Sequence, residues 1–175
     1  MKKHIFVFII AIFIGSKLNA ANAPQPVLQN ISPNFLIGES DLRYFGLKVY
    51  RAELWCEKAQ FSYNQKFALH LTYNMNFSKE DLAQRSIEEI ERIHVLQDLE
   101  KENYYQQLLK IFANVKKGDQ KVALFLPQRG LEMYYNNQLI GKISDPKLAR
   151  LFVDIWLDER GSFPKVTKKL LGKNP

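Results

Sequence analysis

Cysteine is nearly absent from this chain of 175 residues. Cys56 stands alone, so no disulfide can close within the chain and packing must hold the fold unaided. We read it as a small buried apolar residue rather than a nucleophile. Histidine is scarce too: beyond residue 20 only His70 and His94 occur, and neither has a cysteine or second histidine at ligand spacing. No metal site and no cofactor are expected. The G-x-S-x-G, H-E-x-x-H and C-x-x-C patterns and a phosphate-binding glycine loop are all missing, so the common hydrolase, protease, redox and nucleotide mechanisms lack support.

Long apolar runs are also lacking. The longest, Ile5 to Ile14, falls well short of the about 20 residues that a membrane span needs. It follows Lys2, Lys3 and His4 and precedes small and polar residues, the pattern of a secretory signal peptide. Residues 1–20 are therefore expected to be cleaved after Ala20, leaving a periplasmic or secreted protein with no stable membrane insertion. The formal charge of +7, less the three charges of Lys2, Lys3 and Lys17, is +4, which gives little reason to expect nucleic acid as a partner. What remains has the length of one domain with its own core.

Pro24, Pro26 and Pro33 discourage regular structure, so residues 21–34 are read as an extended N-terminal segment and 35–175 as the domain. A short strand is expected at Phe35–Gly38. The stretch Leu42 to Cys56, LRYFGLKVYRAELWC, then reads as one long strand with a fault in it. Its apolar residues sit at odd positions in the first half (Phe45, Leu47, Val49) and at even ones in the second (Tyr50, Ala52, Leu54, Cys56). A strand cannot change phase in this way without a bulge, a bend or a cavity on one side. Residues 67–75 alternate cleanly, which places His70 on the side away from Phe67, Leu69, Leu71 and Tyr73 and predicts that it faces solvent.

Ser78 and Asp81 announce a helix with an apolar stripe at Leu82, Ile87, Ile90 and Ile93, its glutamates Glu88, Glu89 and Glu91 on a solvated face. Tyr104, Leu108 and Phe112 mark a second helix. A meander of three strands follows, turning at Gln128-Arg129-Gly130 and at Asn136-Asn137. Ser144 or Asp145, with Pro146 in the first turn, opens a helix that buries Leu148, Leu151, Phe152, Ile155 and Trp156, and a short one opened by Ser162 and Pro164 ends at Gly172. Strands, helices, strands, helices in this order predict an α+β fold, an antiparallel sheet covered on one face by helices. A cavity between the two layers is natural in such an arrangement.

Two long stretches carry a resemblance. Gly38 to Trp55, with Arg43 before F-G-x-K-V-Y-x-A-x-L-W, and Asn114 to Gly172, with Gly118, Asp119, Trp156, Ser162 and Pro164 in order, resemble the bacterial chalcone isomerase-like family. The resemblance implies an open-faced β-sandwich with a ligand cleft between sheet and helices, the long strand bending around that cleft. In the plant enzymes of this fold an arginine, a threonine, and a tyrosine with an asparagine bind and polarise the flavonoid. Arg43 matches the arginine, Tyr50 stands near the threonine, and the later pair has no counterpart, which argues against chalcone cyclisation and for no catalytic residues. Non-catalytic members are similar to fatty-acid-binding proteins, in which the arginine and a tyrosine hold the carboxylate. This implies a binding protein for an apolar, carboxylated small molecule such as a fatty acid, with Arg43, Tyr50, Tyr73 and Tyr134 as candidate ligand-binding residues. Arg43 could equally be paired with Asp41 or Glu39 at the start of the strand. The alternatives are an isomerase or intramolecular lyase using Arg43 and a tyrosine, and an envelope interaction protein whose cleft is filled by its own side chains.

Overall fold

Leu42–Cys56 is not one strand. In the computed structural model, which describes residues 23–174, β1 (Phe35–Tyr44) and β2 (Leu47–Cys56) form a hairpin turning at Phe45 and Gly46, both with positive φ. The expected signal peptide, residues 1–20, lies outside the described residues. Leu42 faces Tyr50 while Arg43 faces Lys48, so Val49 is one residue too many on β2. That bulge is the phase change seen in the sequence. It lets Leu47 before it, Val49 within it and Tyr50 after it all line the same cavity.

The sheet continues in chain order through β3 (Phe67–Tyr73), β4 (Gln120–Leu126), β5 (Gly130–Tyr135) and β6 (Gln138–Ile143), every pair antiparallel. Asn136 and Asn137 both take positive φ in the last hairpin, as asparagine tolerates. Among the described residues five helices accompany the sheet: α1 (Gln25–Asn30), α2 (Lys79–Ile93), α3 (Asp98–Ile111), α4 (Pro146–Leu157) and α5 (Pro164–Leu170). The main core lies between one face of the sheet and α2 to α5, where Leu54, Phe67, Leu69 and Phe125 meet Ile87, Ile90, Leu108 and Phe152. This is the α+β open-faced sandwich. Cys56 is buried within that core, and burial pushes its thiol up to about 12, so it stays protonated.

Residues 21–34 are not extended throughout, because α1 occupies Gln25–Asn30. Pro24 caps it and Pro26 lies in its first turn, where a proline loses no helical hydrogen bond. Through Val27 and Ile31, α1 covers Trp55, Ala68, Val122 and Leu124 on the other face of the sheet. β3 is thereby buried on both sides instead of half-buried. His70 is accordingly buried rather than solvent-facing, its Nδ1 2.9 Å from the Glu53 carboxylate.

Local signals account for the helix starts. The Ser78 hydroxyl accepts from the Asp81 amide and the Asp81 side chain reaches back, a capping box that begins α2. At α4 the Asp145 carboxylate accepts from the amides of Lys147 and Leu148, at 2.8 and 3.3 Å. Asp145→Ala should cost about 1 kcal/mol by leaving these amides without an acceptor; an unchanged urea midpoint would show that water replaces the cap fully. One glycine is required by packing. A Cβ on Gly38 would overlap the Lys169 carbonyl, so β1 and α5 approach backbone to backbone there.

Candidate ligand-binding cavity

The bulged strand, β3 and helices α2, α4 and α5 enclose a cavity of about 660 Å³. That is within the range of small-molecule sites. Its wall is mainly apolar: Leu42, Leu47 and Val49 from the first hairpin, Leu71 and Phe77 around β3, and Phe152, Ile155 and Phe163 from the helical side. Its exposed lining residues are Tyr44, Leu47 and Met75 at the hairpin edge and Asp81, Gln84, Arg85 and Glu88 along α2, so it opens between the hairpin and that helix.

Tyr50 and Tyr73 are cross-strand partners on the cavity wall, their rings edge to face at 6.1 Å. The Trp156 indole N–H donates to the Tyr50 hydroxyl at 2.9 Å, joining α4 to β2 across the cavity. Burial raises both phenols above the ordinary tyrosine range, so they remain neutral donors. The structure thus brings together two of the four residues expected from the sequence.

The other two face the opposite way. Leu42 and Tyr44 take the cavity side of β1, and strand alternation turns Arg43 outward between them. Arg43 is exposed and donates to the Gly46 carbonyl at 3.3 Å. Neither expected carboxylate is its partner: Asp41 pairs with Lys48 at 2.8 Å, and Glu39 pairs with Arg51. Arg43 is therefore neither a cavity anchor nor part of those ion pairs. Tyr134 lies on the face that α1 covers, where its hydroxyl donates to Glu132 at 2.8 Å, so it too is absent from the cavity.

Two cations do line the cavity. Arg85 on α2 is neutralised by Glu88 at 3.1 Å and Glu89 at 2.9 Å. Glu89, expected on a solvated face, is buried against the core and also accepts from the Ser162 hydroxyl at 2.9 Å. The second cation is Lys121 on β4, only 4% exposed. Its ammonium donates to the Ala113 carbonyl at 3.2 Å and sits 4.5 Å from the centre of the Phe112 ring. No carboxylate pairs with it among the described residues. Burial pushes it down to about 8, against a smaller opposing pull from Asp119. The sequence reading passed over Lys121, although its phase with Ala123 and Phe125 marks it as a lysine on a core face.

One further cluster gathers residues far apart in sequence. His94, Asp154 and Asp158 come close together at the end of α2 and along α4. The Tyr63 hydroxyl donates to Asp154 at 2.7 Å, Arg150 Nε donates at 2.9 Å, and His94 Nε2 lies at 3.1 Å. With an arginine already supplying positive charge to a buried carboxylate, the arrangement is a network that ties α2 to α4.

A family model described as chalcone isomerase-like matches residues 42–172. An uncharacterized protein of Haemophilus influenzae is 25% identical over 138 residues, which cover 78% of this chain and 67% of the relative. Among solved structures, a fatty-acid binding protein of Arabidopsis thaliana aligns with a TM-score of 0.62 at 11% identity, over 79% of this chain and 87% of that one. At that identity the likeness is one of fold.

Proposed function

The chain belongs to the chalcone isomerase-like family, and from that premise we propose that it is a non-catalytic binding protein for an apolar, carboxylated small molecule of the fatty-acid class. The observation that carries this reading is the cavity itself, apolar along most of its wall and open between the hairpin and α2. A long alkyl chain gains about 0.8 kcal/mol for each methylene it buries in such a space. The binding activity named for the Arabidopsis protein of the same fold supports the same ligand class.

The polar groups around the cavity favour binding over turnover. Asp81 is engaged in the α2 capping box, Glu89 is engaged by Arg85 and Ser162, and Tyr50 is held by Trp156. These carboxylates and phenols are occupied or kept neutral, so none of them is free to take a proton, and among the described residues Lys121 stands as the cavity's unpaired ionisable group. The charged and apolar order of residues 2–14 supports export, so the protein would meet its ligand in the periplasm or outside the cell.

Titration of the exported protein with a fluorescent long-chain fatty acid should give saturable binding at one ligand per chain. Native mass spectrometry of the same material should show the ligand bound. A purely linear, non-saturating fluorescence response, with only the bare mass detected, would remove the reading.

A further inference from the structure

We infer that Lys121 is the residue that receives the ligand's carboxylate, at the inner end of the cavity, so that an acid enters head first and leaves its alkyl tail towards the hairpin mouth. The inference rests on the reading of the cavity as a site for apolar carboxylic acids. Of the two cations on the wall, Arg85 already has two carboxylate partners and Lys121 has none. A buried ammonium with a single carbonyl acceptor is undersatisfied, and an incoming carboxylate supplies both countercharge and acceptors.

The neighbours suit that role. Lys121 pairs with Leu71 across the sheet, which makes Tyr73 its diagonal neighbour on the same face, and Tyr73 in turn pairs with Tyr50. Both side chains line the cavity, so one carboxylate oxygen can meet the ammonium and the other a phenol. The carboxylate that acts on Lys121 is Asp119, and it is already engaged by the Tyr135 hydroxyl and the Asn136 amide, at 2.7 and 3.1 Å, without pairing with the ammonium. From the mouth at β1 to Lys121 on β4 the cavity crosses three strand spacings, roughly 14 Å, enough for most of a long alkyl chain.

The test compares a long-chain fatty acid with the alcohol of equal length. Wild type should prefer the acid. Lys121→Met should weaken the acid about ten- to a hundredfold, the loss of a charge-assisted hydrogen bond, and leave the alcohol within about twofold. Raising the pH supplies a second arm on the unmodified chain. Around Lys121, β3 presents Leu71 and Tyr73, β5 presents Tyr135, which donates to Asp119, and Phe112, the residue that follows α3, and Phe152 of α4 complete the surroundings. With Asp119 ionised throughout and the phenols neutral, Lys121 is the group that titrates near pH 8. Affinity for the acid should fall about tenfold per pH unit above that point while the alcohol is unaffected. Equal acid affinity in wild type and Lys121→Met would overturn the anchor and leave the binding reading standing. Failure of wild type to bind either compound would overturn both.

Discussion

Lys121→Met is expected to stabilise the empty protein by about 3 kcal/mol at neutral pH, raising its melting temperature by roughly 6–12 °C. The lysine sits buried without a carboxylate partner, and burial brings it from 10.5 down to about 8. Each unit of such a shift is about 1.4 kcal/mol by which the fold disfavours the charged form. Because the folded value lies below the unfolded one, the cost is fully present below about pH 8. It disappears as pH rises towards 10.5, where the unfolded chain also loses the proton. Urea denaturation at pH 7 and at pH 10 should therefore show a wide gap between wild type and variant that narrows at the higher pH. Methionine keeps a similar volume, so packing changes contribute little. A variant less stable than wild type at pH 7 would mean that the Ala113 carbonyl and the Phe112 ring satisfy the ammonium, and that no ligand is needed to do so. A residue that costs stability in the empty protein and contributes affinity in the filled one is the behaviour expected of a binding group.

Phe152→Ala should be the most destabilising of the substitutions considered, at about 3–5 kcal/mol. Phe152 is 3% exposed, its ring 5.3 Å from that of Trp156 and 5.9 Å from that of Phe112. It stands on the cavity wall, so its loss adds new void to an existing one and little can collapse to fill the space. Trp156→Ala should cost less, because Trp156 is only partly buried, but it releases the Tyr50 hydroxyl. Chemical denaturation of both variants measures the order. A Phe152→Ala midpoint within error of wild type would show that α4 is not a core element, contrary to its packing.

Much of the helical layer was legible from residues close together in sequence. Ser78 with Asp81, Asp145 with Pro146, and the stripe from Leu148 to Trp156 specify their helices through contacts within one or two turns. The hairpin at Asn136-Asn137 is local in the same way. The phase break at Val49–Tyr50 was visible too, but its cause was not. A bulge is a relation between two strands, and Val49 becomes the extra residue only once Leu42 is paired with Tyr50 and Arg43 with Lys48.

The candidate site divides along the same line. Tyr50 and Tyr73 were singled out through the family resemblance, and they reach the cavity because both lie in phase with core residues of their strands. Arg43 was misassigned because the hairpin turn at Phe45–Gly46 sets which side of β1 faces the cavity, and that side belongs to Leu42 and Tyr44. His70 was misassigned because α1, formed from a proline-rich segment, covers the outer face of the sheet.

By itself, then, the amino-acid sequence determined the α+β class, the starts of the capped helices α2 and α4, the single cysteine's place in the core and the family to which the chain belongs. Each of these depends on periodicity, capping or residue identity within short segments. Only the tertiary structure decided which face of each strand lines the cavity and which cation on its wall has no countercharge. Arg85 meets its carboxylates three and four residues along its own helix, so local spacing neutralises it. Lys121 is surrounded by residues from β3, β5, α4 and the segment after α3, and whether an ammonium there finds a carboxylate depends on packing that no local pattern specifies.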